Sequence, residues 1–303
     1  MFRAFSYLRQ HNDENPIDDY KSFYRRFSNE REFGSDFTNM DHLVKNRFHN
    51  TINHVYNAIL RKNPQRIIDI GCGNGVNLPI SRIFPEIEYT GLDYAENSII
   101  AAKKSYPEAK FITGDAFNTG IESKSFDMAI MASLLILYED RKSQQALLRE
   151  SSRILTENGT LVLIVWNQAP LLVASIKLSR LLARMTRTRL PEDFMAVYFT
   201  RNDVRNALQD TGLIIEEVLE TGDDYGVLEA VRYLSMAKYH RTFGKAESES
   251  GREHPQNILE DLTAQSGCSP ILVRICHALA RTWPGSFSMY SVYLLRKTGT
   301  AHR

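Results

Sequence analysis

The sequence predicts an α/β fold, doubly wound around a mostly parallel sheet. Two observations carry that expectation. The first is the β-branched run Arg66–Ile70, which ends against a glycine-dense turn, Gly71-Cys72-Gly73-Asn74-Gly75. Ile67, Ile68 and Ile70 suit a buried strand, and the glycines supply a turn in which a ligand can lie against backbone N–H groups. The second is that further apolar runs alternate with helical stretches and close on acids. Asp93 ends the run from Glu88, 22 positions after Gly71, and Asp115 follows the run from Lys110, a further 22 positions on. Acids at successive strand ends place a ligand crevice at the carboxyl edge of the sheet, where a carboxylate takes sugar hydroxyls. The turn is not the dinucleotide pattern G-x-G-x-x-G, because Val76 stands where the third glycine belongs.

The elements follow in order. Residues 1–18 read as polar and loosely held, and 18–27 as a helix with Tyr20, Tyr24 and Phe27 on one face. Residues 41–61 read as a long helix capped by Asp41. Strands are expected at 66–70, 88–92, 110–114, 127–132 and 160–166, with helices at 75–83, 96–105 and 141–155. Asn158-Gly159 is the expected turn into the fifth of these strands. A helix over 171–185 sets Lys177, Arg180, Arg184 and Arg187 near one line. Thr200 and Asp203 form a capping pair for a helix that Gly212 ends, and 213–219 is the next strand. Helices are expected over 227–243 and 257–283, and a β-rich alternating run over 286–297.

The segments Asp69–Gly75, Gly91–Tyr94, Gly114–Phe117, Ser125–Met131 and Leu148–Leu163 together resemble the class I S-adenosylmethionine-dependent methyltransferase family. The likeness is specific over about residues 60–166, weaker at 199–221 and 287–297, and essentially absent at 1–40, 167–198 and 222–286. It implies a seven-stranded Rossmann-like sheet with an antiparallel last strand beside the 213–219 strand, and helical cap insertions. It also implies a division into an N-terminal flap (1–40), a cofactor-binding core (41–166), a helical lid (167–198) and a sheet-completing part (199–303) with a helical insertion (227–283). The cofactor implied is S-adenosylmethionine, leaving as S-adenosylhomocysteine. Asp93 would hold the ribose hydroxyls, with Tyr94 against the adenine. Asp115 would accept from the adenine amine, and the Ala116 N–H would meet a ring nitrogen. The turn Gly71, Cys72, Gly73 and the backbone at Met131 and Ala132 would meet the methionine part, and Asp69 would order the turn.

Methyl transfer from a sulfonium is an in-line displacement with a good neutral leaving group, so alignment and water exclusion matter more than a base. Tyr138, after the fourth strand, and His240 are the base candidates. Tyr20, Tyr24, Arg180 and Arg184 are the candidates for contact with the acceptor. No N-P-P-Y tetrapeptide, no Pro-Cys after the fourth strand and no metal-ligand pattern is present. With 303 residues, 43% apolar, and a net charge of +1, the chain gives no electrostatic sign of nucleic-acid binding. Cys72, Cys268 and Cys276 form no disulfide framework, which fits a reducing cytoplasm. No leader and no membrane span is read, so any membrane contact is peripheral. The function expected is O-methylation of a small-molecule or glycan- or lipid-linked acceptor. An RNA or protein methyltransferase, or a non-catalytic partner that keeps the fold, is the alternative.

The basic line in the lid gives a first test. Replacing Lys177, Arg180 and Arg184 together by Gln should raise the KM for an anionic acceptor and flatten its salt dependence, with cofactor affinity unchanged. Acceptor kinetics that keep their salt dependence would make the segment only a cap.

Overall fold

The structure is a computed structural model that describes residues 2–3, 42–75, 80–168, 170, 173, 197–220 and 290–298. Tyr20, Tyr24 and Phe27, Val76, the line Lys177, Arg180, Arg184 and Arg187, His240, Cys268 and Cys276 lie outside the described residues. So do the helices expected over 227–243 and 257–283.

The described elements are β1 (Phe2–Arg3), α1 (His42–Lys62), β2 (Arg66–Ile70), α2 (Ile80–Ile83), β3 (Glu88–Asp93), α3 (Glu96–Ser105), β4 (Lys110–Thr113), β5 (Phe126–Ala132), a 3-10 turn (Leu135–Leu137), α4 (Arg141–Ile154), β6 (Leu155–Trp166), β7 (Val197–Tyr198), α5 (Arg201–Ala207), β8 (Leu213–Glu220) and β9 (Tyr290–Lys297). Seven strands form one sheet in the order β4-β3-β2-β5-β6-β9-β8. The first five in that order are parallel, and β9 runs antiparallel between β6 and β8.

Both faces of this sheet are covered, which is why its central strands are apolar without alternation. One face packs Ile68, Ile70, Met131, Leu161, Leu163 and Val165 against α4, α5 and the 3-10 turn. The other packs Ile67, Met128, Ile130, Val162 and Ile164 against α1, α2 and α3. Asp127, at the start of β5, accepts from the Gln65 and Arg66 N–H groups and serves the sheet rather than the crevice.

Several boundaries differ from the sequence expectation. Helix α4 stops at Ile154, and Leu155 already pairs with Phe126. The register then shifts until Met128 meets Thr160, so Asn158-Gly159 falls in a bulge within β6 rather than in a turn before it. Leu155 is fully buried and its carbonyl accepts from Lys297 Nζ at 2.7 Å, which holds the early strand start in place. Helix α5 ends at Ala207, not at Gly212; the Thr200–Asp203 capping box is present as expected. Phe2–Arg3, read from sequence as loose, pairs antiparallel with Val197–Tyr198. Two-residue backbone pairing of this kind leaves no side-chain pattern to read.

Gly91 on β3 allows β4 to lie close. A Cβ there would stand 2.5 Å from Phe111 Cδ1 and 2.8 Å from Cys72 Sγ. Gly91→Ala is therefore expected to cost about 1–3 kcal/mol through overpacking. It should appear as a lower urea midpoint at an unchanged m value; a midpoint equal to the wild type's would show that the ring and thiol yield freely.

Candidate functional site

The carboxyl ends of β4, β3, β2, β5 and β6 stand side by side because these strands are parallel. The turn after β2 is the centre of this edge. Gly71 has φ +79° and Gly73 φ +55°, conformations open to glycine. The N–H groups of Gly71, Cys72, Gly73 and Gly75 are committed within the protein. Those of Gly71 and Cys72 donate to the Leu92 carbonyl at 2.7 and 3.1 Å. That of Gly73 donates to Asp93 Oδ2 at 2.7 Å, and that of Gly75 to the Cys72 carbonyl at 3.0 Å. The expectation that a ligand lies against these N–H groups is thus corrected, because β3 has claimed them. A turn whose donors are used does not cradle a phosphate; what it leaves for a ligand is acceptor character, which suits a cation.

The acids divide the work differently from the sequence reading. Asp93 ties the turn: beyond Gly73 it accepts from the Ala95 N–H at 2.9 Å, while 4% of its surface stays exposed. Burial raises its pKa, against the backbone hydrogen bonds that lower it. Asp69 lies on the face of β2 that packs α1, α2 and α3. Its Oδ2 accepts from the Tyr89 hydroxyl at 3.0 Å, and its Oδ1 is buried with no hydrogen-bond partner. Burial pushes its carboxyl up to about 7, with the Tyr89 hydrogen bond opposing and the Asp93 charge adding. Cys72 is a buried thiol pushed up first by burial and then by Asp69 and Asp93, so it is a space-filling group rather than a nucleophile.

Asp115 is half-buried. Its Oδ1 accepts from the Phe117 N–H at 3.0 Å and its carbonyl from the Asn118 N–H, so Ala116 sits at the tip of a tight turn. Glu150 on α4 fixes the far side of that loop, accepting from the Thr119 N–H at 2.8 Å, Thr119 Oγ1 at 2.6 Å and Arg153 Nη2 at 2.7 Å. Tyr94 is half-buried behind Asp93, and Met131 is fully buried under Ala132. Ser133 then adopts φ +57° and donates its N–H to the Ile164 carbonyl. This turn sets Leu134 against Gly71, where an added Cβ would meet Leu134 Cδ2 at 3.2 Å.

Tyr138 joins this group. Its ring meets Phe117 edge-on at 5.1 Å. Burial, then the charges of Asp115 and Asp93, push its phenol well above the ordinary value. That environment opposes a phenolate, so Tyr138 is not a general base in this setting. The structure thus gathers Asp69, Gly71, Cys72, Gly73, Asp93, Tyr94, Asp115, Ala116, Met131, Ala132 and Tyr138 along one edge. Sequence reasoning missed Tyr89 and Glu150, although each follows from strand or helix periodicity once the faces are assigned. Among the described residues no group of three or more His, Cys, Asp or Glu is placed to hold a metal, and no helix is long and apolar enough to cross a membrane.

Residues 67–159 match the family described as a methyltransferase domain. This match and the seven-stranded order above bear out the resemblance to class I S-adenosylmethionine-dependent methyltransferases. A demethylmenaquinone methyltransferase of Thermotoga maritima is 34% identical over 111 residues, which is 36% of this chain and 47% of that protein. A phthiotriol/phenolphthiotriol dimycocerosates methyltransferase of Mycobacterium ulcerans is 31% identical over 99 residues, 32% of this chain and 34% of that protein. A tRNA (carboxymethyluridine(34)-5-O)-methyltransferase of Saccharomyces cerevisiae is 26% identical over 99 residues, 33% and 34% of the two chains. The matched stretch spans less than half the length of each of these relatives.

The raised Asp69 carboxyl has a stability signature. Its folded pKa of about 7 exceeds the ordinary 3.8, so its contribution is full below 3.8 and is lost as pH rises through 7. Asp69→Asn, which cannot ionise, should gain stability relative to the wild type between about pH 4 and about pH 7. Paired urea melts of the cofactor-free proteins across that range check it. A pH-independent difference between the two would show that Asp69 ionises as it does in water.

Proposed function

We propose that this chain is a methyltransferase that moves the methyl group of S-adenosylmethionine to an oxygen of a small-molecule or glycan- or lipid-linked acceptor. The observation that carries the cofactor assignment is the orphaned Asp69 Oδ1. A buried carboxylate oxygen without a partner, below a turn that has spent its N–H donors, is complementary to a cation. The methionine end of the cofactor brings an ammonium. The turn itself leaves open space, since a Cβ at Gly73 would meet no atom within 4 Å.

The remaining roles follow along the strand ends. Asp93 keeps lone pairs beyond its backbone partners and accepts from the ribose hydroxyls. Tyr94 borders the adenine, Asp115 accepts from its amine, and the Ala116 N–H meets a ring nitrogen. Gly71, Cys72, Met131 and Ala132 supply the backbone walls of the methionine pocket. When bound, the cofactor supplies an electrophilic methyl group on a neutral leaving thioether. The protein holds it, excludes water and orients the acceptor.

With Tyr138 disfavoured as a base, the acceptor oxygen must itself be acidic, as in a phenol or hydroquinone, or be served by His240. The lid reading is supported by the way 167–198 begins and ends: the Phe199 N–H donates to the Trp166 carbonyl and the Gln168 N–H to the Phe199 carbonyl, which pins both ends of the segment at the crevice. The two relatives whose names print lipid or quinone acceptors favour a lipid-linked acceptor in a cytoplasmic protein with peripheral membrane contact. The yeast relative, which acts on tRNA by its name, favours RNA as the second reading.

Calorimetry with S-adenosylhomocysteine tests the site. Asp93→Asn should bind about ten- to a hundredfold more weakly, the loss of a charge-assisted acceptor. Radiolabelled transfer to a polyprenyl hydroquinone, a phenolic glycolipid and bulk tRNA then tests the acceptor. Equal affinity in the variant would remove Asp93 from the site, and label on tRNA alone would replace the small-molecule reading.

A further inference from the structure

The strand order gives the crevice a direction. Asp115 follows β4, Asp93 ends β3, Asp69 and Gly71 lie at β2, and Ala132 and Ser133 lie at β5. On the proposed reading this line runs from adenine through ribose to the methionine end. The next strand in the sheet is β6, and the residue at its carboxyl end is Trp166. Ala132 pairs with Ile164, so Trp166 stands two residues beyond the end of β5, the strand end to which the proposed reading brings the methionine part.

Trp166 is not alone there. Strand β9 is antiparallel, so its first residue, Tyr290, lies at this same edge as the register partner of Trp166. Tyr198, which ends β7, comes from the other side. The ring centroids are 5.6 Å apart for Trp166 and Tyr198 and 6.3 Å for Trp166 and Tyr290, at 58° and 82°. Tyr198 and Tyr290 are buried, whereas Trp166 is partly exposed and packs against the clusters on both sheet faces. The indole therefore lies across the end of the sheet.

Its Nε1 is shut off from solvent and has no hydrogen-bond partner. An interior indole N–H ordinarily finds an acceptor, and one left unmade is costly. Packing alone is served as well by a phenyl ring, so the fold has no use for this donor. The donor stays available to a ligand that reaches it.

We infer that Trp166, Tyr198 and Tyr290 form the acceptor subsite, that it takes a flat ring-bearing molecule against its aromatic walls, and that Trp166 Nε1–H donates to an oxygen on that ring. This rests on the proposed function for its place beside the methyl donor and narrows the acceptor to an oxygen-bearing cyclic compound. A reaction that installs a hydroxyl or carbonyl on a ring must then supply the substrate.

The chain has two tryptophans, Trp166 and Trp283. In indole-15N-labelled protein loaded with S-adenosylhomocysteine, the Trp166 N–H signal is assigned with Trp283→Phe. Titration with 1-tetralone, a bicyclic ketone, is expected to move that signal downfield to saturation. Tetralin, its analogue without oxygen, should leave it in place. Tetralone should bind about five- to a hundredfold more tightly than tetralin. In Trp166→Phe that ratio should fall to near one while S-adenosylhomocysteine affinity is kept. No response of the Trp166 N–H to tetralone, or a ratio that survives in Trp166→Phe, overturns the subsite. Should Trp166→Phe fail to fold, the signal in the Trp283→Phe protein decides alone. Should S-adenosylhomocysteine not bind, the functional reading fails separately, and the tetralone titration of the unloaded protein still decides whether the subsite exists.

Discussion

The hydrogen bond from the Gly73 N–H to Asp93 Oδ2, 2.7 Å long, is the constraint on which the crevice depends. It crosses from the turn after β2 to the end of β3, so the two strand ends cannot separate without leaving a buried carboxylate short of a donor. Together with the two N–H groups held by the Leu92 carbonyl, it turns the glycine loop back upon its neighbour strand. The loop's chemistry toward a ligand follows from the four N–H groups it has committed. A phosphate cradle keeps its N–H groups pointing outward; this one has closed them off and leaves Asp69 beneath it, short of a positive partner.

Parallel strands give the rest of the site its order. Each strand end contributes one kind of group, and neighbouring ends are spaced as strands are, about 5 Å apart. An elongated ligand lying across those ends meets a succession of groups set by the strand order β4-β3-β2-β5-β6. The outer supports lie on helices: Glu150 and Arg153 of α4 hold the loop of Asp115 from behind through Thr119. The Glu150 carboxyl, which burial alone would push up, is held at about 2 by Arg153 and Thr119, so the brace stays charged through the physiological range.

The sheet and the acid-bearing strand ends were legible because they rest on composition and spacing. β-branched runs mark Ile67–Ile70, glycines mark the turn, and equal spacing marks Asp93 and Asp115. What could not be read were choices between competing backbone partners. Nothing in Gly71–Gly75 says that Leu92 and Asp93 will take its donors, or that Leu155 will leave its helix one residue early to pair with Phe126. Tyr138 was legible as a residue near the crevice but not as a buried one, since its burial depends on Phe117 arriving from another loop. Trp166 and the two rings beside it, Tyr198 and Tyr290, come from three strands that only the folded topology brings together.

Strand β9 adds a temporal consequence. It lies between β6 and β8, and Lys297 on it reaches a carbonyl 142 positions earlier in the chain. The strand ends that carry Asp69, Asp93 and Asp115 all precede it and can pair among themselves as they leave the ribosome. Tyr290 joins them only after that long separation is closed, and contacts so distant in sequence form slowly. The acid-bearing strand ends can therefore pair before the aromatic end of the sheet, at Trp166 and Tyr290, is complete.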